Sequence, residues 1–165
     1  AFVASGITEN FEKLIILSSE RHNADETDPD DLSRMFMRFV KRIKAKYGFI
    51  TNVYCDSAEK VLIRGLKKAL ITANMGNIKI GDALKCKITD RIFTVTTLSA
   101  SGRILFTEDC ESVQEAISMA VWDAKTTDLE RLDDGTSDID SLDAMEYSFE
   151  RRINKLIRIK RGEKR

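Results

Sequence analysis

Apolar residues fall along the chain in two periods. Through AFVASGIT and FEKLIILSSE, β-branched and aromatic residues predict two strands with a turn near Glu9-Asn10. Residues 22–28 are polar and read as a loop. Leu32, Met35, Phe36, Phe39, Val40, Ile43 and Tyr47 then recur at helical spacing. Asp28 suits the N-cap, Pro29 the first helical position, Asp30 and Asp31 the positive end of the dipole, and Gly48 the stop. FITNVYC (49–55) is a short apolar run of the kind buried in a sheet. SAEKVLIRGLKKALI (57–71) predicts a helix with Leu62, Leu66, Ala69 and Leu70 on one face.

Beyond Gly76 the pattern weakens. Residues 78–80 predict a short strand. Ile88, Ile92, Val95 and Ser99 predict a helix closed by Gly102, and RILFT (103–107) a strand. Val113, Ala116, Ile117, Ala120 and Val121 mark a helix capped by Asp109. Residues 123–136 form an acidic loop, and a last helix begins near Ser137 and runs past Phe149. Strands followed by helix–strand–helix alternation indicate an α/β fold: a mixed sheet with helices on both faces and an antiparallel edge hairpin. That outline resembles a ribonuclease H-like fold whose first strand is missing before Ala1.

With 165 residues, 42% of them apolar and 33% charged, the composition is that of one globular domain. No apolar run reaches the roughly 18 residues of a membrane span, and the start lacks the basic region and cleavage motif of a secretory signal. Three widely spaced cysteines argue for a reducing compartment, and a lone His22 removes His-based metal sites and Ser-His-Asp triads. Any chemistry therefore runs on carboxylates. The 27 basic and 27 acidic residues cancel, but unevenly. Between Asp123 and Asp143 eight acids face Lys125 and Arg131, whereas residues 151–165 carry eight cations and one acid. Further basic clusters lie at 38–46 and 60–68. These runs are either solvated faces or, where acids adjoin cations, a place where acids hold metal and cations hold phosphate.

Asp56 directly follows the apolar strand, at the sheet end where α/β folds place ligands. Alternatively, Asp56 or Ser57 only caps the next helix. In Ser137-Asp138-Ile139-Asp140-Ser141-Leu142-Asp143, the first-turn acids Asp138 and Asp140 suit a dipole and a capping box. Asp143 lies beyond capping reach, one turn from Asp140 and from Tyr147 on the same face. Either a divalent metal offsets these like charges, or the face is wet with Arg151 or Arg152 nearby. Carboxylates without His pairs or thiolates select Mg²⁺ or Mn²⁺, and such sites hold two ions roughly 4 Å apart around a phosphodiester.

Three stretches resemble the C-terminal nuclease domain of tailed-bacteriophage terminase large subunits. VYCDSAEKVLIRGLKKA is similar to that family's strand–Asp–helix element, and KCKITDRIFTVTTLSASGRILF to its lysine-led helix and following strand. SDIDSLDAMEYSFERRI is similar to its terminal metal-binding helix. The resemblance implies a metal-dependent endonuclease that cuts concatemeric double-stranded DNA in the cytoplasm of a bacterial host. Its partners would be a portal protein and a small terminase subunit, with no membrane. Asp56 and Asp143 would be catalytic metal ligands, Asp140 an additional ligand, and Asp138 an outer acid. The family's first catalytic Asp would lie on the opening strand, so the chain as it stands is expected to bind metal weakly and cut little. No GxxxxGK[ST] sequence of an ATPase motor occurs. Lys60, Lys67, Lys85, Lys87, Arg151, Arg152 and Lys155 are candidates for the DNA backbone. Residues 1–155 would be the nuclease domain and 156–165 a basic tail. The other reading is a non-catalytic domain that docks on DNA or on a portal ring.

Overall fold

In the computed structural model, which describes residues 1–22, 28–58, 60–123, 131–132 and 138–158, the opening segment forms strands β1 (Phe2–Ile7) and β2 (Leu14–Glu20). They pair antiparallel, with Ile7 opposite Leu14 and a bulge between Ala4 and Ser5. The turn is closed by Thr8, whose hydroxyl accepts the Lys13 N–H at 2.9 Å, and by Phe11 in the left-handed region at φ +57°. Helix α1 (Pro29–Tyr47) starts as its sequence dictates: Asp28 accepts the Asp31 N–H at 2.6 Å, and Pro29 supplies no orphan donor. Its apolar stripe buries Phe36, Phe39, Val40 and Ile43. Next come β3 (Asn52–Cys55), α2 (Lys60–Thr72), β4 (Lys79–Asp82), α3 (Ile88–Ala100), β5 (Ile104–Phe106) and α4 (Glu111–Met119). Helix α5 (Ile139–Phe149) passes through a 3₁₀ turn (Glu150–Arg152) into the short α6 (Ile153–Leu156).

The architecture is α/β, with β5 parallel and β1 antiparallel to β2 in a mixed three-stranded sheet, order β1-β2-β5. The expected single sheet is divided, however, because β3 and β4 form a separate parallel pair. Among the described residues β1 pairs only with β2, and β3 only with β4. Residues 1–5 and 50–56 line one cleft consecutively. Side chains of a strand alternate between faces, so a wall of consecutive residues presents the strand's edge. The two sheets therefore meet this cleft with two open edges.

Each sheet has its own core. Leu14, Ile16, Leu98, Val113, Met145 and Phe149 gather under the first, whereas Phe36, Val40, Leu66, Leu70 and Ile78 gather under the second. Leu156 is fully buried in the first core and Ile157 packs against it. The basic tail expected from residue 156 thus starts no earlier than Arg158. Helix α3 is rotated relative to its predicted face: Arg91, Thr94 and Leu98 are buried, whereas Ser99 is exposed. Asp109 does not cap α4, which has Cys110 at that position without a side-chain bond, and Asp109 instead meets Lys46 Nζ at 2.6 Å. The helix ends at Met119, short of Ala120 and Val121. The cap of α5 is Asp138, which accepts the Ser141 N–H at 3.1 Å; Ser137 and most of the acidic loop, residues 124–130 and 133–137, lie outside the described residues. Among the described residues no helix is long and apolar enough to cross a membrane.

Candidate functional site

The cleft between the sheets encloses about 530 Å³, and Asp56, Asp140 and Asp143 all line it, with Tyr147, Arg151 and Arg152. Asp56 arrives there because β3 ends one residue before it. Its Oδ1 accepts the Ala58 N–H at 2.9 Å, a turn contact ahead of α2 rather than a helix cap, and also faces Lys85 Nζ at 2.7 Å. The hydrogen bond from Lys85 holds the Asp56 carboxyl below the usual carboxylate range. Asp140 sits exposed in the first turn of α5. Asp138 contributes its cap and a 3.5 Å contact with Arg21, and does not line the cleft.

Asp143 is held on two sides. Arg91 Nη1 donates to its Oδ1 at 2.9 Å, and the Tyr147 hydroxyl, one turn along α5, donates to its Oδ2 at 3.0 Å. Burial first, and then the Asp143 charge, push the Tyr147 phenol up, which keeps the hydroxyl a donor. The cation beside Asp143 is therefore Arg91, with Arg131 at 3.8 Å, rather than Arg151 or Arg152. Behind it Glu146, fully buried, meets Arg91 at 2.9 Å and Arg131 through both terminal nitrogens. Burial pushes the Glu146 carboxyl up, against the pull of both guanidiniums. Among the described residues no three His, Cys, Asp or Glu side chains form a metal-holding group.

The chain matches no protein-family model, no curated protein and no solved structure.

The remaining cations are dispersed. Lys60 pairs with Asp82 at 2.5 Å, Lys67 is exposed on α2, and Lys87 is exposed at the start of α3. Arg151 donates to the Asp82 carbonyl at 3.0 Å and stacks 5.2 Å from the Tyr54 ring centre. Arg152 is exposed at the cleft, and Lys155 lies 4.8 Å from the Phe11 ring centre. Past the end of α5, Arg151 and Arg152 still line the cleft that carries Asp140 and Asp143, whereas Lys155 does not.

Sequence reasoning missed Arg91 and the pairing of Arg131 with Glu146. The signal for Arg91 was its i, i+3, i+7 spacing with Thr94 and Leu98, which marks a buried stripe containing one cation. Cys55, at the cleft wall, has its thiol pushed up to about 11 by burial and then by Asp82. At pH 8 only roughly a thousandth of it is thiolate, so iodoacetamide should alkylate it slowly, about tenfold faster per pH unit, as mass spectrometry would record.

Proposed function

We propose that the chain is a ribonuclease H-like nuclease domain of a viral DNA-packaging terminase, cutting double-stranded DNA in the host cytoplasm with Mg²⁺ or Mn²⁺. The observation that carries this reading is the convergence of Asp56 with Asp140 and Asp143, from segments far apart in sequence, on one cleft rimmed by Arg151 and Arg152. The open edges of β1 and β3 support it as well. A strand preceding β1 in a meander would pair with the β1 edge opposite β2, which is the edge that lines this cleft. A portal protein and a small terminase subunit follow from the same resemblance.

The donor set fits a hard divalent ion in kind. Asp56 and Asp143 offer carboxylate oxygens and are 51% and 29% exposed, but two such ligands are an incomplete shell. When bound, the ion would supply charge stabilisation and water activation for phosphodiester hydrolysis. Tyr147 orients Asp143 by its hydrogen bond, and Lys67, Lys87 and Arg152 stand exposed for backbone phosphates, without reading bases.

One observation favours the docking alternative: Asp56 and Asp143 each already face a cation, Lys85 or Arg91. Carboxylates balanced in this way need no metal. Mn²⁺-induced broadening of backbone amide NMR signals separates the two readings, since it detects weak sites. Selective loss of the Asp56–Ala58 and Asp140–Asp143 signals at substoichiometric Mn²⁺ is expected; uniform or absent broadening would overturn the nuclease reading.

For the tail, removal of residues 158–165 leaves Leu156 and Ile157 in the core. It should weaken DNA binding and flatten log K against log salt by about 0.9 per lost phosphate contact. An unchanged slope would assign the tail to solvent or a protein partner.

A further inference from the structure

The loop between β4 and α3 is built around a buried acid with no part in the site described above. Glu150, 3% exposed, accepts the successive backbone N–H groups of Leu84, Lys85 and Cys86, the latter two at 3.2 and 3.1 Å. Three consecutive N–H groups converging on one carboxylate form an anion-binding nest, which requires a left-handed residue in the run. Lys85 is that residue, at φ +53°, a conformation a side chain other than glycine's adopts only when its surroundings compel it. The Ala83 N–H, donated to the Cys55 carbonyl at 2.7 Å, ties the same loop to the end of β3. With its backbone fixed from both sides, Lys85 sends its ammonium to Asp56, 2.7 Å away.

We propose that Lys85 is a built-in counter-ion for Asp56, held in position by the Glu150 nest, which a divalent cation must displace to bind that carboxylate. The inference rests on the metal-dependent reading above. The competition is electrostatic: the ammonium and a metal ion seek the same oxygens and repel each other. Lys85 is therefore a positioning residue that sets metal occupancy, and while it pairs with Asp56 it is not available to a DNA phosphate.

The test is a Mn²⁺ titration of the whole chain, following the Ala58 amide in wild type, Lys85→Met and Glu150→Gln. An exposed ion pair is worth up to about 1 kcal/mol, so Lys85→Met should tighten Mn²⁺ binding by up to about fivefold. Glu150→Gln keeps the side-chain volume but weakens the nest. It should shift the 84–86 amide resonances and tighten binding by less than Lys85→Met does. Unchanged or weaker Mn²⁺ binding in Lys85→Met, with the wild type binding at Asp56, overturns the counter-ion role and leaves the metal site standing. No Mn²⁺ effect at Ala58 in any of the three overturns the metal reading itself, and the counter-ion role with it.

Discussion

Arg91→Met will destabilise the fold by about 3–5 kcal/mol, the usual result of removing one partner from a buried ion pair. Arg91 is 7% exposed and Glu146 is fully buried, and the guanidinium spans Glu146 and Asp143 at 2.9 Å each. Methionine fills much of the volume, so the loss is electrostatic rather than a cavity. Arg131 still reaches Glu146, which places the effect toward the lower end of that range. At this chain length, about 3 kcal/mol corresponds to a melting temperature roughly 10 °C lower, measurable by circular dichroism. Arg91→Met combined with Glu146→Leu should recover part of the loss, because an apolar pair of similar volume leaves less charge unpaired. A single substitution that melts within 2 °C of wild type would show that the network contributes little.

Asp143→Asn should abolish metal-dependent cleavage of plasmid DNA while the domain stays folded. The variant is to be compared with the wild-type chain under the same Mn²⁺ conditions. Asparagine is isosteric, so its carbonyl oxygen can still accept from Tyr147 or Arg91, and Arg91 retains Glu146. Asp143 is a half-buried residue past the cap of α5, so the helix start does not depend on it. What is lost is the charge a divalent ion needs. Near wild-type nicking with Mn²⁺ and Asp143→Asn would remove Asp143 from the metal site.

Where the local sequence carries its own instructions, the structure follows them. Helix α1 has cap, proline, dipole acids and stripe within one stretch, and it forms as read. Asp56 was singled out by its place at the end of an apolar strand, and Asp143 because it lies past the cap of its helix. Their convergence on a cleft depends on tertiary packing. Helix α3 was misread because its apolar residues suggest a face through Ile88, Ile92 and Val95. The partners that decide the issue, Asp143 and Glu146, lie about fifty residues downstream. Arg91 lies against both carboxylates, on the same face as buried Thr94 and Leu98. Glu150 was illegible for a related reason, since its three donors are backbone groups of a distant loop and leave no side-chain signature. The division into two sheets follows from strand pairing, which periodicity does not encode.

The central claim is that Asp56 and Asp143 are ligands of one divalent-metal site. Crystals of the chain soaked in Mn²⁺ and measured at a wavelength where manganese scatters anomalously test it most directly. The account predicts an anomalous peak in the cleft within bonding distance of both carboxylates, with the Lys85 ammonium withdrawn from Asp56. A cleft without a peak at saturating Mn²⁺, with Lys85–Asp56 and Arg91–Asp143 intact, would contradict it.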